Sequence, residues 1–193
     1  MTTILIVLFV VILAVPLIYL STLKGEFVVS RSLTIGVARE QVFEKIKDFR
    51  SWPEWSPWLM HEPEAHLEYS DAPDQQGGWY SWDGETVGAG RLTHMKFSGS
   101  DKIEQKIEFL RPFKSVSQVW WELERLDEGN TQVSWNMSGS MPFLFRFMTK
   151  KSLNMWARIT IPVWPCYVAY LSLVRSTPVS VLQALSRCLR KLP

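Results

Sequence analysis

Asp48-Phe49-Arg50-Ser51-Trp52-Pro53-Glu54-Trp55-Ser56-Pro57-Trp58 packs three tryptophans and two prolines into one short stretch. Proline fixes its own φ and turns the preceding residue away from the helical region. Trp52 and Ser56 each precede a proline. A helix arriving from upstream must therefore end near Phe49 and give way to a tight, irregular turn. Large aromatic rings at this density need burial, so the turn is expected to be pinned against a large apolar surface.

Upstream, residues 37–49 place Val42, Phe43, Ile46 and Phe49 at helical spacing, with Lys and Glu on the opposite side. Before that, residues 27–35 alternate and are rich in β-branched residues, which predicts a strand. Downstream, a short acidic segment over residues 60–68 leads into a series of strand candidates. These cover residues 67–70, 78–83, 88–98, 102–110, 115–126 and 131–139. In the last two, Val119, Trp121 and Leu123 share one face, as do Val133, Trp135 and Met137. Trp120, Glu122 and Glu124 take the other face of their strand. That period of two predicts an antiparallel meander with one dry and one wet face. Asp127-Glu128-Gly129-Asn130 between them is a hairpin turn, and Gly88-Ala89-Gly90 suggests a bulge. A helical pattern restarts at Met141. The order is strand, helix, antiparallel strands, helix, an α+β arrangement in which a terminal helix covers the apolar face of the sheet.

The chain has 193 residues, 47% of them hydrophobic, with ten tryptophans. That is one globular domain plus an additional segment, with an aromatic-rich interior. From Thr3 to Leu20 it reads TILIVLFVVILAVPLIYL, without a charge. Eighteen helical residues rise about 27 Å, close to the hydrocarbon thickness of a bilayer. A membrane helix tolerates Pro16 within it. The stretch lacks a basic start and a clear small-x-small cleavage site, so we read an uncleaved, single-pass anchor. A cleaved signal peptide and a buried core helix are the alternatives. Lys24 and Arg31 follow the span and no Lys or Arg precedes it, which places the domain on the cytoplasmic side. The division expected is an anchor at 1–23, a domain at 24–150 and an atypical tail at 151–193.

Charge is distributed unevenly. Residues 150–193 hold seven Lys or Arg and no Asp or Glu, leaving 14 basic against 19 acidic residues elsewhere, a net of −5. A negative body is not a phosphate-binding surface, so nucleic acid is not an expected partner. Cys166 and Cys188 form no disulfide framework or metal spacing.

Arg31-Ser-Leu-Thr-Ile, Val42-Phe43 before Asp48-Phe49, the Trp52-Pro53-x-Trp55-Ser56-Pro57-Trp58 turn, Trp82-x-Gly84-x-x-x-Gly88-x-Gly90, Arg111-Pro112-Phe113 and Thr131-x-Val133-x-Trp135-x-Met137-x-Gly139 occur in this order. Together they resemble the START-like superfamily, more narrowly the membrane-anchored polyketide cyclase/dehydrase (SRPBCC) branch, over about residues 27–149. The resemblance implies a helix-grip fold: a curved sheet around a C-terminal helix, with a hydrophobic cavity between. It implies no shared catalytic set, since members bind lipids, sterols, polyketides or hormones and some are enzymes.

The tail departs from that pattern. After Lys151 it reads SLNMWARITIPVWPCYVAYLSLV, where Pro162 and Pro165 would break a helix. The family tends to end in a segment like Val-Gly-x-Asp-Tyr-x-x-Gly-Leu-x-x-Leu. Back-translating residues 153–170 and reading from the third base of each codon accommodates Glu-Tyr-Val-Gly-x-Asp-Tyr-Asp-Ser-Gly-Leu-Ala-Met-Leu. We therefore read the chain as out of frame from about Lys151, the result of a one-base deletion. A genuine divergent or membrane-seeking tail is the alternative.

Chemistry-bearing residues are sparse. His61, His66 and His94 show no metal spacing, and no metal or cofactor is expected. His94 lies on a strand, where a hydrogen-bonded or exposed structural histidine outweighs a general base. Asp83 and Glu85 read as turn residues, Glu122 and Glu124 as a solvated edge. No nucleophile triad, P-loop or dinucleotide pattern is present. Trp79, Tyr80, His94, Val119, Trp121, Leu123, Val133, Trp135 and Met137 are candidates for the wall of a ligand cavity, with plain core as the other reading. Trp52, Trp55, Trp58, Trp82, Gly84, Gly88 and Gly90 are expected to be structural.

The expectation is a membrane-tethered domain binding a hydrophobic small molecule or lipid, without assigned catalysis. A polyketide cyclase/dehydrase-like enzyme and a protein-interaction module, as in the related chaperone-activator group, are the alternatives. Fold analogy cannot choose among them.

Overall fold

Seven strands pair side by side into one antiparallel sheet. The computed structural model describes residues 2–23, 25–140 and 143. Helix α1 (Thr2–Thr22) is followed by β1 (Glu26–Ile35), α2 (Arg39–Lys47), a 3-10 turn (Phe49–Glu54) and the short α3 (Pro57–Met60). Strands β2 (His66–Tyr69), β3 (Trp79–Asp83), β4 (Ala89–Ser98), β5 (Lys102–Arg111), β6 (Ser115–Arg125) and β7 (Thr131–Ser140) complete the sheet. Its order is β1-β7-β6-β5-β4-β3-β2. The strands from β2 to β7 thus form a meander, and β1 closes against β7.

The registers define one inner face. Val119 lies opposite Met137, Trp121 opposite Trp135 and Leu123 opposite Val133. Across β1, the same row is continued by Val29, Arg31 and Leu33. Register shifts at Ala89/Gly90 and His94/Lys96 mark bulges in β4, which bend a strand and raise its twist. Val42, Phe43 and Ile46 of α2 are buried and join a single core with the inner face.

Helix α2 ends at Lys47, earlier than the apolar spacing through Phe49 implies, because Asp48 takes extended backbone. The last four carbonyls of a helix lack partners within it. Here each has one. Glu44 O accepts from Asp48 N at 3.1 Å, and Lys45 O from Ser51 Oγ at 2.8 Å. Ile46 O accepts from Trp52 Nε1 at 3.0 Å, and Lys47 O accepts from His94 Nε2 at 2.9 Å. The tryptophan turn is therefore the cap of α2, and β4 supplies its final donor.

The loop between β3 and β4 is built on Glu62. Its carboxylate accepts the backbone N–H groups of Glu85, Thr86 and Val87 at 2.8 to 3.0 Å. Gly88 has φ of 69°, a left-handed conformation that favours glycine. Gly90 is required for a different reason. A Cβ there would come within 2.4 Å of the Trp82 ring, which lies across the strand at this point.

Residues 141, 142 and 144–193 lie outside the described set, and with them the expected C-terminal helix, the proposed frame change, Cys166 and Cys188. Within α1, the side chains of residues 6, 7, 10, 11 and 13 are also outside it. Among the described residues, where these gaps interrupt α1, no helix is long and apolar enough to cross a membrane. The backbone of α1 is nevertheless one helix of 21 residues carrying no charged side chain.

Candidate functional site on the inner face of the sheet

The inner face is covered from the tryptophan turn. Phe49, Trp52 and Trp55 are buried, and Trp52 and Trp55 meet the Trp121 ring edge-on with centroids 6.2 and 6.3 Å away. Trp52 and Phe49 also contact Tyr80, at 5.6 and 5.0 Å. Tyr80 in turn packs on Tyr69 and Trp82. The large apolar surface against which the turn is pinned is thus the β3–β6 part of the sheet.

Beneath these rings runs a buried polar chain. Trp121 Nε1 donates to Gln105 Oε1 at 3.0 Å. Gln105 Nε2 donates to His94 Nδ1 at 3.3 Å. His94 Nε2 donates to Lys47 O. A backbone carbonyl can only accept, so the proton of the neutral imidazole resides on Nε2 and Nδ1 is the acceptor. Burial pushes the His94 pKa down to about 4, against partial support from the Lys47 carbonyl. The chain links β6, β5, β4 and α2, and every group in it is satisfied, as buried polar groups must be. Burial also raises the Tyr80 phenol well above its ordinary range and, to a smaller degree, that of Tyr69, aided there by the Asp48 charge.

Val119, Trp121, Leu123, Val133, Trp135, Met137, Tyr80 and His94 all lie on this inner face. Trp79 does not. It is one residue out of phase with Tyr80, faces the opposite side, and stacks under the Arg91 guanidinium at 4.2 Å. Trp82 is buried and donates Nε1 to Val87 O at 3.3 Å. Asp83 pairs with Arg111, and Glu122 and Glu124 are exposed. His61 and His66 are exposed as well. Among the described residues no group of three His, Cys, Asp or Glu side chains is arranged to hold a metal.

Two inner-face residues were not anticipated, although the sequence carried a signal for each. Gln105 stands between Ile103 and Ile107 and Arg31 between Val29 and Leu33, polar residues at apolar parity. Arg31 lies opposite Trp135. On this side of the sheet Phe27, Leu33 and Trp135 are half-buried, as are Ile107 and Phe109 on β5, whereas Val29, Val133 and Met137 are buried.

No protein-family model and no curated protein matches the chain. Many solved structures do. A solution structure of a Thermobifida fusca protein aligns with a TM-score of 0.52 and 14% identity, covering 84% of this chain and 93% of that one. The Aha1 dimer from Colwellia psychrerythraea aligns at 0.48 and 12% identity, over 70% of this chain and 91% of that one. CalU16 from Micromonospora echinospora aligns at 0.49 and 8% identity, over 86% of this chain and 87% of that one. At such identities the likeness concerns the fold, which is helix-grip-like α+β.

Proposed function

We propose that the chain is a non-catalytic binding domain for a hydrophobic small molecule or lipid, of the START-like polyketide cyclase type, tethered to a membrane by α1. One observation carries the binding reading. Phe49, Trp52 and Trp55 lie over the β3–β6 part of the apolar inner face, and among the described residues Phe27, Leu33 and Trp135 at β1 and β7 remain half-buried. A flat or greasy molecule held there gains apolar burial, the main term in such sites. An enzyme of cyclase or dehydrase type needs an uncommitted acid or base on that face. His94 has both nitrogens in hydrogen bonds, and the Tyr80 phenol is held protonated by burial. Native mass spectrometry of the full chain, released gently from membranes, should retain a hydrophobic adduct. Repeated recovery of the bare chain would remove this reading.

The tether rests on α1. Val15, Pro16, Leu17, Ile18 and Tyr19 are all exposed, more than one full turn in succession. A helix apolar all round belongs in a core or in lipid, and this one is not in the core. Its 21 residues rise about 31 Å, a length comparable to the hydrocarbon thickness of a bilayer. With Lys24 just after the span, the domain is assigned to the cytoplasmic side. The chain should resist alkaline carbonate extraction, and a variant lacking residues 1–23 should not. Protease added outside spheroplasts should leave the domain intact.

A further inference from the structure

We infer that the ligand of the inner face is an amphipath with a carboxylate head, seated on Arg31, its apolar chain lying along Trp135. This rests on the binding reading above and specifies its chemistry. Arg31 occupies an apolar row, with Val29 and Leu33 beside it on β1 and Trp135 opposite on β7. Its Nε is sealed from solvent without a hydrogen-bond partner. Among the described residues its Nη1 donates only to Ser30 O, at 2.7 Å. Arg111 and Arg125, at the matching alternation in β5 and β6, each have a carboxylate, Asp83 and Glu40 respectively. Arg31 has none. All 19 Asp and Glu residues of the chain lie between Glu26 and Glu128, within the described residues, and none forms an ion pair with it. No carboxylate side chain from residues 141–193 could serve instead, because that segment has none.

A partly buried guanidinium without a counter-charge is costly, and a planar carboxylate matches its fork of donors. Charge complementarity also selects the head. One guanidinium balances one carboxylate, whereas a phosphate monoester carries about −1.5 to −2 and calls for a second cation. The Trp135 face beside Arg31 then accepts the start of the chain.

The test titrates full-length protein in phosphatidylcholine nanodiscs with decanoate, decanol and decyl phosphate at pH 8, following tryptophan fluorescence. Decanoate should bind at least about tenfold more tightly than decanol, the factor a hydrogen bond to a charged group supplies. Arg31→Met should abolish that preference. Arg31→Lys, which keeps the charge but loses the fork, should retain part of the preference and guards against a folding defect in the first variant. Equal binding of acid and alcohol, or a preference that survives Arg31→Met, overturns the Arg31 assignment while leaving hydrophobic binding intact. Tighter binding of decyl phosphate through Arg31 overturns the carboxylate. If none of the three binds, the binding reading itself falls and the head-group assignment with it.

Discussion

The Phe49 ring lies flat on the His94 imidazole, centroids 3.9 Å apart and planes 4° from parallel. This stack closes the buried polar chain from above and excludes water from the one histidine on the inner face. The resulting fall of the His94 pKa to about 4, from 6.5, makes stability depend on pH. Above pH 6.5 the imidazole is neutral in both folded and unfolded chains and contributes no pH dependence. Between 6.5 and 4 the unfolded chain takes up a proton that the folded one refuses, so stability falls as pH falls. The full window is worth about 3 kcal/mol, with about 2 kcal/mol lost between pH 7 and pH 5. Denaturant unfolding at the two pH values measures it, with His94→Gln as the variant in which this dependence should flatten. An unchanged slope in that variant would refute the assignment to His94.

Trp52 tests the helix cap. Trp52→Phe keeps most of the ring but removes the donor to Ile46 O. A buried carbonyl left unsatisfied costs about 1–3 kcal/mol, in addition to the lost ring volume. Amide exchange should then accelerate in the last turn of α2 before it does in β6 or β7. Uniform acceleration across the domain would mean that the residue acts as general core and not as a cap.

Gly90→Ala places a methyl against the Trp82 ring, at 2.4 Å from its nearest atom, with the Glu108 carbonyl also close. Both neighbours are constrained, so a loss of about 2–3 kcal/mol is expected, the upper range for overpacking. Gly99→Ala is the comparison. There φ is 56° with open space around the Cβ, so only the backbone penalty of about 1–2 kcal/mol applies. Thermal melts of the two variants should rank in that order.

Glu62 is held below the usual carboxylate range, first by the Val87 N–H and then by that of Glu85, against an opposing effect of burial that outweighs the contribution of the Thr86 N–H alone. Its ionised form is thus the one that folds the β3–β4 loop. That contribution is present above the unfolded glutamate pKa and disappears as pH drops through the lower, folded value. Glu62→Gln should raise amide exchange at residues 85–87 at neutral pH, as acid does in the parent. Protection that persists in the variant would show that the loop holds without the charge.

The reading of the tail as out of frame predicts the gene sequence. A one-base deletion should be found across codons 148–156 when independent isolates are compared. Restoring the base should yield a chain that is more soluble and cooperative on melting, because a helix would cover the inner face. An intact frame in every isolate would establish the tail as genuine.

The strands, the hairpin at Asp127–Asn130 and the tryptophan turn were legible because each rests on local chemistry. Period-two alternation in β6 and β7 requires nothing beyond neighbours in sequence, and two X-Pro bonds stop a helix wherever the chain goes. The boundary at Lys47 was not legible, because apolar spacing continues through Phe49 while the donors that end the helix are Ser51, Trp52 and a residue of β4. Trp79 shows the same limit. In Trp79-Tyr80-Ser81-Trp82 aromatic residues occupy both faces, and only pairing with β2 and β4 settles which is inner.

The amino-acid sequence by itself determined which segments alternate, where helices stop and where aromatic mass concentrates, since these follow from backbone sterics and residue size. Tertiary structure alone decided how polar residues at apolar parity are used. Gln105 is satisfied because Trp121 and His94 stand on the adjacent strands, whereas Arg31 meets Trp135 and no carboxylate. Hydrogen bonds and ion pairs reach only a few ångströms, so their outcome depends on which distant residues the sheet register brings within that range.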